Sequence, residues 1–205
     1  MWVKICGITT MKAGVAAYEA GADAVGFVFA PSRRQVDPDR AQALIMGLPA
    51  DIAKVGVFVN EEPGAINAIA RYAGLTHVQL HGDEPPEMLG EIELPVLKAF
   101  RLRSVGDLAK LPAYRKAAGL LLEPYVDGQA GGTGQRLDLS LFKAAAGLHP
   151  MLILAGGLDP GNVLGAIREA RPHGVDVSSG VETDGQKDLN KIYDFTDLAK
   201  EALDA

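Results

Sequence analysis

Short runs of β-branched and aliphatic residues recur along this chain, each followed by a longer stretch whose apolar residues fall three or four positions apart. The short runs are residues 3–6, 24–29, 54–59, 77–80, 96–100, 119–123, 151–155 and 175–178. The spacing predicts helices over 11–20, 38–46, 62–72, 85–92, 139–146, 160–169 and 190–203. Asp37-Pro38 and Asp159-Pro160-Gly161-Asn162 read as helix starts, with a polar side chain ahead of proline or a small residue. A beat of about 25 residues leaves no room for a linker, so residues 1–205 are expected to form one domain.

Eight strand–helix units either close as a (β/α)8 TIM barrel or lie open as a doubly wound sheet. Side-chain parity favours closure. In the first strand Val3 and Ile5 share one face, Lys4 and Cys6 the other; the fourth sets Val78 and Leu80 against Gln79 and His81. The sixth sets Leu120 and Leu122 against Leu121 and Glu123, and the eighth sets Val175 and Val177 against Asp176 and Ser178. An apolar outer face with an inner face that turns polar toward the strand ends is what a barrel mouth requires. At 205 residues, against roughly 250 for a typical barrel, the loops must be short.

Composition narrows the function. Twenty basic residues stand against 26 acidic ones, a net charge of −6, and 48% of residues are hydrophobic. That balance argues against a nucleic-acid or anionic-membrane partner. No run of about 18 apolar residues is present and nothing resembles a secretory signal. The single cysteine allows no internal disulfide, which fits a reducing, cytoplasmic location.

In a barrel the chemistry sits where strands end. Those ends are polar here: Cys6-Gly7-Ile8-Thr9, Ser32-Arg33-Arg34, Asn60, Gln79-Leu80-His81-Gly82, Glu123, Gly156-Gly157 and Ser178-Ser179-Gly180. Two glycine-bearing loops after adjacent strands expose backbone N–H groups to an oxyanion. Gly156, Gly157, Ser178, Ser179 and Gly180 are therefore the expected phosphate site, and a small phosphorylated ligand is the expected partner. Lys4 and Asp176 should pair, since neither charge stays buried alone. His81 has no companions of metal-ligand type, so no metal is expected.

Seven blocks, in order from first strand to last, carry a resemblance: Lys4-Ile5-Cys6-Gly7-Ile8-Thr9, Gly26-Phe27-Val28-Phe29, Val55-Gly56-Val57-Phe58-Val59-Asn60, Val78-Gln79-Leu80-His81-Gly82, Gly131-Gly132-Thr133-Gly134, Ala155-Gly156-Gly157-Leu158 and Asp176-Val177-Ser178-Ser179-Gly180-Val181-Glu182. Together they resemble the phosphoribosylanthranilate isomerases of tryptophan biosynthesis. The resemblance implies a (β/α)8 barrel and a cofactor-free Amadori rearrangement, in which an acid opens the sugar ring and a base takes the C2 proton. It implies Cys6 as the base and Arg34 as the contact to the anthranilate carboxylate; Arg33, like most surface arginines, reads as a solvated charge.

Gln79, His81 and Asp176 are expected to line the mouth beside the substrate, and Gly131–Gly134 to lie in a loop that folds over it. Where the family usually ends its sixth strand in Leu-Leu-Asp, this chain has Leu121-Leu122-Glu123, followed by Asp127. Glu123 has the inward parity and Asp127 the usual residue type; both are candidates for the acid, with Glu123 preferred. Another phosphosugar isomerase, or a silent barrel that binds a phosphorylated metabolite, are the competing readings. The sequence leaves monomer and homodimer equally open.

Overall fold

In a computed structural model that describes residues 1–125 and 137–202, eight parallel strands close on themselves in chain order, which excludes the open sheet. They are β1 (Trp2–Cys6), β2 (Ala24–Val28), β3 (Ala53–Phe58), β4 (His77–Leu80), β5 (Val96–Leu102), β6 (Gly119–Pro124), β7 (Leu152–Leu154) and β8 (Gly174–Val177). Closure comes from β1, which places Lys4 opposite Ala24 of β2 on one side and opposite Asp176 of β8 on the other.

Because successive side chains point to opposite faces, one strand set builds two cores. Outward residues such as Val3, Ile5, Val25, Phe27, Val78, Leu120 and Val175 join the helices in a continuous apolar layer. Inward residues Ala24, Val55, Leu97, Ala99, Leu121, Ile153 and Ala155 form a separate cluster that fills the barrel, closed below by Trp2, Ala53 and Met151. Full burial of each aliphatic side chain contributes roughly 1.5–3 kcal/mol. With the lower interior packed in this way, the inward polar residues are left at the upper rim.

Among the described residues six α-helices cover the outside: α1 (Met11–Glu19), α2 (Pro38–Met46), α3 (Pro63–Ala73), α4 (Leu139–Ala144), α5 (Val163–Ala170) and α6 (Leu189–Glu201). Asp37 caps α2 by accepting from the Arg40 N–H at 2.7 Å. Two crossovers depart from the expected pattern. The stretch expected as a helix over 85–92 is a single 3₁₀ segment, Pro86–Gly90; the consecutive Pro85 and Pro86 remove two N–H donors, and each disfavours α geometry at the residue before it. The β5–β6 crossover, which carries no strong helical period, is a second 3₁₀ run, Val105–Tyr114, with Pro112 inside it.

The start of the helix expected at Pro160 also moves. Asp159 to Asn162 form a turn, and α5 begins at Val163. Between β8 and α6 lies an unforeseen hairpin of β9 (Glu182–Thr183) and β10 (Gln186–Lys187), paired antiparallel. Its two turn residues, Asp184 at φ 51° and Gly185 at φ 77°, have the double positive φ of the tight hairpin turns that asparagine or aspartate followed by glycine prefers.

Candidate active site

Cys6 closes β1 on the inward face and is 8% exposed. Its neighbour on β2 is Gly26, where a Cβ would stand 2.8 Å from the Cys6 sulfur, so the thiol occupies space that only glycine leaves free. Lys4, two residues earlier on the same face, is fully buried and pairs with Asp176 at 2.6 Å. Burial alone would depress the Lys4 ammonium; the Asp176 carboxylate and Cys6 outweigh it and hold the lysine above its ordinary range. For Cys6 the balance falls the other way. Burial pushes the thiol up and Asp176 adds to that, more than Lys4 and Lys187 pull it down.

The hairpin after β8 supplies a second charged cluster. Glu182 receives Arg34 through a two-pronged contact, Nε to Oε1 at 2.6 Å and Nη2 to Oε2 at 3.0 Å. Arg33 joins at 2.7 Å and Lys187 at 3.0 Å. Arg33, expected as a purely solvated charge, is exposed over 56% of its side chain and still bound to this carboxylate. Burial works to raise the Glu182 carboxyl, but Arg34 and Lys187 hold it below the usual carboxylate range. Three cations around one carboxylate leave a local excess of positive charge. The guanidinium N–H groups of Arg34 that Glu182 does not occupy can still meet a ligand anion.

Across the mouth, β4 and β6 are joined by a chain of hydrogen bonds. Gln79 Nε2 lies 2.7 Å from His81 Nδ1, and His81 Nε2 lies 2.8 Å from Glu123 Oε1. Glu123, with 7% of its side chain exposed, thus sits where parity placed it. Gln79, expected beside the substrate, is 1% exposed and is better described as support for His81.

The expected phosphate loops meet in one narrow cavity lined by Glu123, Ala155–Leu158 and Asp176–Gly180. Gly156 and Gly157 both have positive φ, 90° and 62°, which a side chain would oppose. A Cβ at Gly180 would fall 1.8 Å from the Leu158 carbonyl oxygen, so that contact between the two loops requires glycine. Asn162, ahead of α5, ties the first loop down by donating to the Gly157 carbonyl and accepting from the Asp159 N–H. Ser178 donates to the Cys6 carbonyl at 3.2 Å and links the second loop to the thiol strand. Asp127 and Gly131–Gly134 lie outside the described residues.

The residues that sequence reasoning passed over are Glu182 and Lys187 as site members. The signal that could have found them is Asp184-Gly185, a hairpin turn that turns Glu182 and Lys187 into cross-strand neighbours.

The chain is similar to known proteins over almost its whole length. Residues 3–198 match the family described as N-(5'-phosphoribosyl)anthranilate (PRA) isomerase. A protein of that name from Symbiobacterium thermophilum is 58% identical, over 98% of each chain. The solved phosphoribosyl anthranilate isomerase of Thermotoga maritima superposes with a TM-score of 0.91 at 41% identity, covering 98% of this chain and 99% of that one. A further such isomerase, 41% identical with a TM-score of 0.88 over the same shares, was solved with reduced 1-(o-carboxyphenylamino)-1-deoxyribulose 5-phosphate.

Proposed function

Because the chain belongs to the N-(5'-phosphoribosyl)anthranilate isomerase family and isomerises N-(5'-phosphoribosyl)anthranilate in tryptophan biosynthesis, we propose that Cys6 is its base and Glu123 its acid. The observation that carries this division is that one cavity is lined by Glu123, Asp176 and both glycine-bearing loops, while Cys6 ends the strand that Asp176 adjoins. A phosphate held by Gly156, Gly157, Ser178, Ser179 and Gly180 places the sugar between the two groups.

Glu123 gives its proton to the furanose ring oxygen, the C1–O bond breaks, and the anthranilate nitrogen lone pair forms a C1=N iminium. Cys6, as thiolate, takes the C2 proton, and the electrons of that C–H bond form C1=C2 and neutralise the nitrogen. Tautomerisation gives the aminoketose. One proton enters and one leaves, so no cofactor is consumed. Lys4, pinned by Asp176, stabilises the thiolate while it lasts. Arg34 binds the anthranilate carboxylate with the N–H groups Glu182 leaves open, and the excess positive charge of that cluster favours the anion. The enzyme acts on this small phosphorylated substrate in the cytoplasm, as a monomer or homodimer.

The test is turnover of N-(5'-phosphoribosyl)anthranilate by purified protein and two variants. Glu123→Gln is expected to lose about 10²-fold or more in kcat, and Asp127→Asn to keep most activity. If Asp127→Asn is the dead variant, the acid is the loop residue and Glu123 is a structural member of the mouth.

A further inference from the structure

Gln79 is almost fully enclosed on the inner face of β4, 1% exposed, and its Oε1 has no hydrogen-bond partner among the described residues. Its neighbours in register are Val57 of β3 and Leu97 of β5, both aliphatic, so neither flanking strand dictates which way the amide points. Among the described residues the one polar contact of its side chain is His81 Nδ1. With Nε2 toward that nitrogen, Gln79 donates, His81 Nδ1 accepts, and a neutral imidazole carries its hydrogen on Nε2, which donates to Glu123 Oε1. In this arrangement Glu123 Oε1 accepts, and an ionised Glu123 has no proton to give.

A half-turn of the amide reverses every direction in the chain. Oε1 now accepts from Nδ1–H, His81 Nε2 presents a lone pair, and Glu123 satisfies it by donating an O–H. Either orientation leaves one end of the amide unmet, so neither is locked by its own surroundings.

We propose that Gln79 and His81 are positioning residues that load Glu123 with its proton, the Gln79 amide switching His81 from an Nε2–H donor to an Nδ1–H tautomer that accepts from the acid. The proposal rests on the reading of Glu123 as the acid. Protons balance. The imidazole–carboxyl pair holds one proton in the first state and two in the second, and the added proton comes from solvent. It enters at His81 Nδ1, while the proton already on Nε2 passes to Glu123 and from there to the ring oxygen. Asp176 lines the same cavity as Glu123 and Arg101 stands beside it in register on β5; both charges bear on where that second proton rests.

The test combines kinetics with ¹⁵N NMR of the His81 ring in the wild-type protein across pH. The expected spectrum shows Nε2–H at high pH and gains Nδ1–H as the second proton binds. Gln79→Met keeps the volume but offers Nδ1–H no acceptor; its kcat is expected to fall about tenfold with KM within about twofold, and His81 stays Nε2–H. Gln79→Glu always accepts from Nδ1–H and is expected to restore part of kcat. A wild-type His81 with one tautomer throughout, or Gln79→Met at wild-type kcat beside a dead Glu123→Gln, overturns the relay alone. An active Glu123→Gln overturns the acid assignment and the relay with it.

Discussion

At the scale of single residues, the base is held where burial works against its ionisation. Burial lifts the Cys6 thiol above its ordinary range despite Lys4, so at neutral pH the free protein carries mostly thiol. A higher pKa makes the thiolate a stronger base but a scarcer one. The thiolate fraction grows as pH rises while the acid loses its proton, so kcat/KM of the free enzyme is expected to follow a bell whose alkaline limb lies beyond the usual thiol range of about 8.5. Cys6→Ala should remove that limb and lower kcat by about 10²-fold or more with little change in KM; pH-resolved steady-state kinetics checks both. Cys6, Glu123, His81 and Asp176 were legible because strand parity alone decides which strand-end residues face inward. Arg33 and Lys187 were not, since their shared partner Glu182 becomes reachable only after the hairpin folds back.

At the scale of elements, all eight strands were legible to within two residues at either end, for aliphatic runs this short leave few choices. The crossovers were less so. An Ala/Leu period over 85–92 cannot report that Pro85 and Pro86 take away the N–H groups an α-helix would use, and the β5–β6 connection has too little periodicity to mark 3₁₀ turns. Loops after β7 and β8 depend on each other more than on their helices, because Gly180 lies against the Leu158 carbonyl. Gly180→Ala must therefore part the two loops. It is expected to raise KM at least tenfold, a loss of ~1.4 kcal/mol or more in substrate binding, and to weaken competitive inhibition by inorganic phosphate, with the far-UV circular dichroism unchanged. Inhibition assays on the variant give the measure.

For the molecule as a whole, the weak side of the barrel is where two successive crossovers lack α-helices, and it is stapled by a buried ion pair instead. Lys98 of β5 reaches Glu84 at 2.9 Å and the Gly82 carbonyl at 2.7 Å, while Glu84 also accepts from the Asn60 and Gly82 N–H groups. Burial would raise the Glu84 carboxyl, but Lys98 and the Asn60 amide hold it below its ordinary range. A depressed carboxyl gives stability that is present above its unfolded pKa, about 4.3, and is lost as pH falls through the lower folded value. Glu84→Gln is thus expected to cost about 3 kcal/mol at pH 7, where it leaves Lys98 buried without its counter-charge. The deficit should shrink in acid as the wild-type carboxyl itself protonates; urea unfolding at pH 7 and in steps below pH 4 measures this. The seam between β1 and β8 sets the timing of activity during synthesis. Lys4 and Asp176 are 172 residues apart in sequence, which at ribosomal speed is about 10–30 s. Throughout that interval the nascent chain already holds its thiol but not the partner that fixes Lys4 beside it, and the edge of β1 that β8 will cover stays unpaired. A message cut short before β8 should therefore yield inert product rather than a feeble enzyme.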